Sequence, residues 1–263
     1  RALALNPEHG EAGFNQAICL LTAGDFARGW PAFEWRWRLE PQASQARPFP
    51  QPRWWGDFPL AGRRILLHSE QGYGDSLQMC RYVPELAARG AWVALEVEAP
   101  LVPLLATLAG VSALLAKGEP LPPFDCHCPL LGLPLACATT LETIPAVPSS
   151  LRADPARRAV WQARLGPSSG RRIGLAWSGN PNHKNDRHRS LPLTALTGLS
   201  GDSPVEIISL QRELRPADAA GVARVTLSHP AKMNALSVAM WQQLREAFLA
   251  CSVAADHTRV VLV

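Results

Sequence analysis

The chain has 263 residues, 47% of them hydrophobic and 18% charged, with a net charge of +4, enough soluble globular material for one large domain or two small ones. The positive balance is too small and too scattered to argue for nucleic acid, and no run approaches the ~18 uncharged apolar residues of a membrane span. Six cysteines, all in or beside apolar runs, point to reduced thiols in a cytoplasmic setting and not to a disulfide framework.

Arg1 opens the chain without a methionine and inside a helical pattern. No signal peptide is read, and the chain reads as cut from something longer. Residues 1–39 carry Ala/Leu periodicity, an Asn-Pro break and two amphipathic runs split by Gly24-Asp25, which predicts a helical hairpin. The pieces "ALALNP" and "AGDF" resemble a tetratricopeptide repeat, with small residues at the helix crossing. About one repeat is present, and such units need neighbours for stability; the resemblance implies a possible protein partner for this face.

Residues 40–62 are rich in Pro, Gln and Trp. They read as a linker that lies against something, because Trp54-Trp55 are too apolar for open water. From residue 63 to 150 strand and helix signals alternate. Strands are expected at 64–69, 92–97 and 112–116, and helices at 76–89 and 101–108, with Gly90 and Gly110 as C-terminal stops. Cys126-His127-Cys128 has the look of a zinc pair, but no second Cys/His pair completes four ligands, so it reads as a buried strand end before Pro129 and no metal is expected. A further unit, 151–216, contains "RRIGLAWSGN", a polar loop, a helix from Ser190 and the strand "VEIISLQ". The alternation predicts an α/β fold with a parallel, Rossmann-like sheet flanked by helices. Residues 217–263 read as strand, amphipathic helix with Ser237 as N-cap, and strand, a β-α-β piece whose strands would extend or cover the open sheet edge before them.

Two stretches carry chemistry. "HSEQGYGDSLQ", residues 68–78, follows a strand and opens a helix, a setting that favours an anion. It lacks the third glycine of a dinucleotide fingerprint, since Leu77 stands there, and no Gly-Lys-Ser/Thr follows. Gly72 and Gly74 read as turn residues. Asp75 is either an N-cap accepting from the backbone N–H of Leu77 or Gln78, or a general base towards a substrate hydroxyl. The second stretch is "WSGNPNHKNDRHRS", residues 177–190. Small residues with free N–H groups beside a cationic cluster suit a diphosphate, against the plainer reading of a solvated basic loop.

Together "EQGYGD" and "WSGNPNHKNDRHRS" resemble bacterial tetratricopeptide-repeat proteins with a heptosyltransferase-like (family 9) glycosyltransferase domain, over residues 1–216. The resemblance implies two Rossmann-like halves. It makes Asp75 the base towards an acceptor hydroxyl and assigns Ser178, Gly179 and Asn180, with Lys184 or Arg189 as the cation, to the diphosphate of a nucleotide-sugar donor. The acceptor would be a saccharide or a protein hydroxyl, with no cofactor. The second half is shorter than the family's, so little or no activity is expected of this stretch alone. Residues 221–263, with "VTLSHPAKMNAL", resemble the start of the enoyl-CoA hydratase/isomerase (crotonase) family, which implies CoA near Lys232 to Ala235. The rival readings are a fragment of such an enzyme, or a repeat-type protein-binding module with a decayed transferase domain.

Overall fold

The computed structural model describes residues 2–146, 151–167, 171–183, 185–200, 205–211, 214–219, 222–225 and 259–262. The chain divides into two compact units, Arg1–Arg158 and Ala159–Val263. In the first, helices α1 (Ala2–Leu5), α2 (Gly10–Thr22) and α3 (Phe26–Phe33) lead into a 3₁₀ turn, Glu34–Arg38. The hairpin closes where expected: Gly24 has φ +79°, and the Asp25 side chain accepts from the Arg28 N–H as the N-cap of α3. Gly29 is what lets the two helices cross closely, since a Cβ there would sit 2.6 Å from Leu21 Cδ2.

Helix α4 (Gln42–Gln45) precedes the stretch read as a linker. That stretch packs as predicted, although only in part through its tryptophans. Trp54 is buried and donates its Nε1–H to the Phe58 carbonyl, while Trp55 stays 45% exposed under the Arg53 guanidinium.

The sheet of the first unit is parallel throughout, in the order β3-β2-β1-β4. Its strands are β1 (Arg64–His68), β2 (Trp92–Val97), β3 (Ala113–Ala116) and β4 (Cys126–Pro129). Helices α5 (Tyr73–Met79), α6 (Val83–Ala88), α7 (Val102–Leu105) and α8 (Leu133–Ala136) flank it. This is the α/β, Rossmann-like arrangement that the alternation predicts. Central strands covered on both faces have near-continuous apolar sequences; Ile65, Leu66, Leu67, Val93, Ala94 and Leu95 are fully buried. Ala17 and Phe33 of the hairpin belong to the same apolar cluster, so hairpin and sheet share one core.

Two helices differ from expectation. The helix placed at 76–89 begins three residues earlier, at Tyr73, and breaks into a 3₁₀ turn at Cys80–Tyr82 before α6. Pro84 explains the break, because it has no N–H to donate to the preceding turn. The helix placed at 101–108 is only α7, preceded by a 3₁₀ turn at Ala99–Leu101.

Helix α9 (Pro155–Leu165) is followed in the second unit by β5 (Arg171–Leu175) and β6 (Val205–Ser209), a parallel pair. The helix expected from Ser190 is a 3₁₀ segment, Leu193–Ser200, delayed because the residue before Pro192 disfavours helical backbone. Helix α10 (Pro216–Ala219) precedes β7 (Val222–Val225) and β8 (Arg259–Leu262). These two strands pair with each other in parallel as a separate sheet instead of extending β5–β6. The amphipathic helix read around Ser237 lies outside the described residues.

No helix among the described residues is long and apolar enough to cross a membrane.

Candidate functional site

The first candidate lies where β1 turns into α5. Gly72 is the N-cap, in extended backbone (φ −75°, ψ 168°), and Asp75 occupies the third helical position. Asp75 therefore does not cap through the N–H groups of Leu77 or Gln78. Its Oδ2 reaches back to accept from the Gly72 N–H at 2.9 Å, the acidic half of a capping box. The helix starts early enough that Leu77 and Gln78 lie inside it, which is why the expected cap fails. Among the described residues nothing donates to Oδ1, and the side chain is only half-buried.

The two glycines are not required by the corner. Neither has a positive φ. A Cβ at Gly74 would meet nothing within 4 Å, and one at Gly72 would touch only Asp75 Oδ2, at 3.4 Å. What they leave is open space beside the Asp75 carboxylate, at some cost in helix propensity.

The stretch ahead of the turn is held by a buried ion network. Glu70 accepts from Arg36 at 3.1 Å (Nη2 to Oε1) and 3.4 Å (Nε to Oε2). Arg36 Nη1 also donates to Glu34 Oε1 at 2.7 Å, and Arg53 pairs with Glu34 Oε2 at 2.8 Å. Burial pushes the Glu70 carboxyl up, and the Arg36 charge opposes it. The hairpin thus anchors the residues immediately before Gly72.

Beside this network, between the last residue of β1 and the second residue of β4, His68 Nε2 and His127 Nδ1 are 3.2 Å apart, with the Phe49 ring packed on both. Burial lowers His68 to about 3 and His127 to about 4, and each is helped by neighbouring positive charge. Both are neutral at pH 7, so one ring nitrogen donates to the other. Burial also pushes the Cys126 thiol up to about 11 and Cys128 higher still, so neither is a ready thiolate. Cys126–Pro129 forms a strand, as its plainer reading predicts. Among the described residues no three His, Cys, Asp or Glu side chains group as metal ligands.

The second candidate lies in the other unit, where β5 ends. Ser178, Gly179 and Asn180 line an open cleft of about 950 Å³ together with Pro181, Leu210, Gln211, Leu214 and Arg215. The backbone N–H groups expected to be free are partly used. Gln211 Oε1 accepts from the Trp177 and Ser178 N–H groups at 3.1 and 3.2 Å, and its Nε2 donates to the Ser178 carbonyl. Ser190 Oγ accepts from the Gly179 N–H at 3.0 Å.

What lacks a partner among the described residues is the buried Ser178 Oγ and the Arg215 Nε. The exposed Arg189 guanidinium lies over Gly179, 3.3 Å from where a Cβ would be. Lys184, Lys232 and Ala235 lie outside the described residues.

Three residues that the sequence reading missed hold this loop. Gln211 does so as above. Arg215 Nη2 donates to Asp186 Oδ2 at 2.6 Å and to Ser190 Oγ at 3.0 Å. Asp218, buried, accepts from Trp177 Nε1 at 2.9 Å and from the Leu193 N–H at 3.0 Å. The hydrogen bond from Ser190, with the Arg215 charge adding to it, lowers Asp186 below the usual carboxylate range.

No family model matches the chain, and no solved structure does. Among curated proteins, Protein FlbA of Caulobacter vibrioides is 31% identical to it over 187 residues, 62% of this chain and 30% of that protein. The chain therefore spans about 30% of the length of the relative it matches.

Proposed function

We propose that the chain is part of a glycosyltransferase that moves a sugar from a nucleotide-activated donor to a hydroxyl acceptor. The observation that carries this reading is the cleft of the second unit. It is lined by the same Ser178–Gly179–Asn180 segment that the sequence points to, and two of its lining residues each carry a buried polar atom without a partner among the described residues, Ser178 Oγ and Arg215 Nε. Buried polar atoms are ordinarily hydrogen-bonded, so two orphans on residues that line one cleft suit a ligand rich in acceptor oxygens, reached by a small side-chain movement. A diphosphate has them, and Arg189, poised over Gly179, supplies the charge.

In this reading Asp75 takes the proton of the attacking hydroxyl. It has a free oxygen, and Gly72 and Gly74 leave room for a sugar ring next to it. The donor's C1–O bond breaks as the acceptor oxygen bonds to C1, and the departing nucleotide diphosphate is stabilised by the cations of the 178–189 loop.

Titration calorimetry with uridine diphosphate tests the donor half. Binding is expected to weaken as salt rises, and Arg189→Ala should cost about fivefold to tenfold in affinity. Absence of binding, or binding unaffected by Arg189→Ala, overturns the assignment.

A further inference from the structure

A group of polar side chains gathers at the carboxyl edge of the first sheet, apart from the Asp75 carboxylate and the 178–190 loop. Glu98 follows β2 directly. Its Oε1 accepts from Ser69 Oγ at 2.8 Å, and its Oε2 from Ser76 Oγ at 3.4 Å. Lys117, just past β3, places its Nζ 3.7 Å from Glu98 Oε1 and donates to the Ser69 carbonyl at 3.4 Å. Both serines are buried, Glu98 is 18% exposed and Lys117 46% exposed. Ser76 is next in the chain to Asp75. Three side chains just past the ends of β1, β2 and β3, and Ser76 of α5, thus converge at the carboxyl edge of the sheet, the side on which ligands of open parallel sheets bind.

The chemistry of the group selects its ligand. Glu98 and Lys117 cancel in charge, so neither an anion nor a cation is favoured over the other. A carboxylate has about four lone-pair sites; two are taken by serine hydroxyls and Lys117 stands 3.7 Å from Oε1, which leaves acceptor capacity on the 18% exposed side chain. Lys117 has three N–H donors, one of which goes to the Ser69 carbonyl. Accepting and donating capacity side by side, with no net charge, matches adjacent hydroxyls, each of which donates and accepts. The serines hold the carboxylate in place, as a site needs before it can discriminate.

We propose that Glu98 and Lys117, braced by Ser69 and Ser76, form a subsite for a vicinal cis-diol of the saccharide acceptor. The proposal rests on the transferase reading for the word acceptor, but not for the binding itself. The test is nitrogen-proton correlation NMR of the full chain titrated with methyl α-mannopyranoside, which carries a cis-diol, at millimolar concentration, and with its 2-deoxy analogue. The diol is expected to shift the amides of residues 69, 98 and 117, with the 2-deoxy analogue about tenfold weaker. Glu98→Gln should lose about tenfold in affinity. Lys117→Ala, at an exposed position, should lose several-fold without disturbing the fold, which keeps the test decisive if Glu98→Gln does not fold.

No shift at these residues overturns the subsite, as does equal binding of the diol and its deoxy analogue. Unchanged binding in a folded Glu98→Gln or Lys117→Ala chain, as expected of a purely structural brace, also overturns it. Uridine diphosphate titrated in parallel separates the two claims. If it binds and the diol does not, the subsite falls and the donor reading stands. If the diol binds and the diphosphate does not, the subsite survives as a polyol site and the transferase reading falls.

Discussion

Replacing Arg36 with methionine removes the cation that holds Glu70. The Arg36 side chain is 1% exposed and that of Glu70 5%, so water cannot take over the two lost hydrogen bonds. Breaking a buried pair by deleting one partner costs about 3–5 kcal/mol, and methionine retains part of the packing against Phe33 and Trp37, whose rings lie 4.8 and 4.9 Å from the guanidinium. With a urea slope of ~2 kcal/mol/M, the unfolding midpoint should fall by roughly 2 M.

The cost depends on pH in a definite direction. Burial already raises the Glu70 carboxyl, and loss of Arg36 raises it further. A carboxyl whose folded pKa lies above its unfolded value stabilises the fold at low pH and loses that contribution as pH rises through the folded value. The deficit of Arg36→Met should therefore be smaller at pH 5 than at pH 8. Adding Glu70→Gln removes the stranded charge, and the double-mutant cycle should show coupling of about 2 kcal/mol. Urea unfolding of the four proteins at both pH values decides it. A deficit under ~0.5 kcal/mol, or no coupling, would falsify the claim that the hairpin is ion-locked to the motif.

The buried His68 supplies a second pH effect. Its folded pKa of about 3 lies below the ordinary value near 6.5, so its contribution is present above pH 6.5 and is lost as pH falls towards 3. This amounts to ~2 kcal/mol between pH 7 and pH 5, and His68→Phe should flatten the urea-midpoint profile over that interval; an unchanged profile refutes it. Gly74→Ala should leave the fold as stable or raise it by up to ~1 kcal/mol, since nothing opposes a Cβ there, while crowding the space next to Asp75. Thermal unfolding reads the first effect, and a clear drop in midpoint would show that the glycine serves the fold. Asp218→Ala strands two donors, Trp177 Nε1–H and the Leu193 N–H. It should cost about 2–4 kcal/mol and quench or shift the Trp177 emission; unaltered fluorescence and stability would contradict the anchoring role.

How far the sequence was legible follows from what each element needs. β1 and β2 are continuous apolar runs, and burial on both faces demands little else. The start of α5 is hard to read because Gly72-Tyr73-Gly74 has the composition of a loop, yet neither glycine has a positive φ and Gly74 lies inside the helix. The Arg36–Glu70 pair bridges 34 positions, and no local pattern announces it.

The second site divides along the same line. The loop at 178–190 was visible as small and cationic residues after a strand. Which of its N–H groups stay free was not, because Gln211 and Ser190 decide that. Even so, the controlling partner follows from one further step. β5 and β6 are parallel with Leu175 opposite Ser209, and two residues beyond each lie Trp177 and Gln211. A carboxamide at that position can bridge both the N–H and C=O sides of the neighbouring chain just past its strand end, which an apolar residue there could not. Once the strands are paired in register, a polar residue two past the end of β6 therefore marks the backbone groups it will occupy. It also leaves the buried hydroxyl of Ser178, rather than its N–H, as the polar group of that residue without a partner among the described residues.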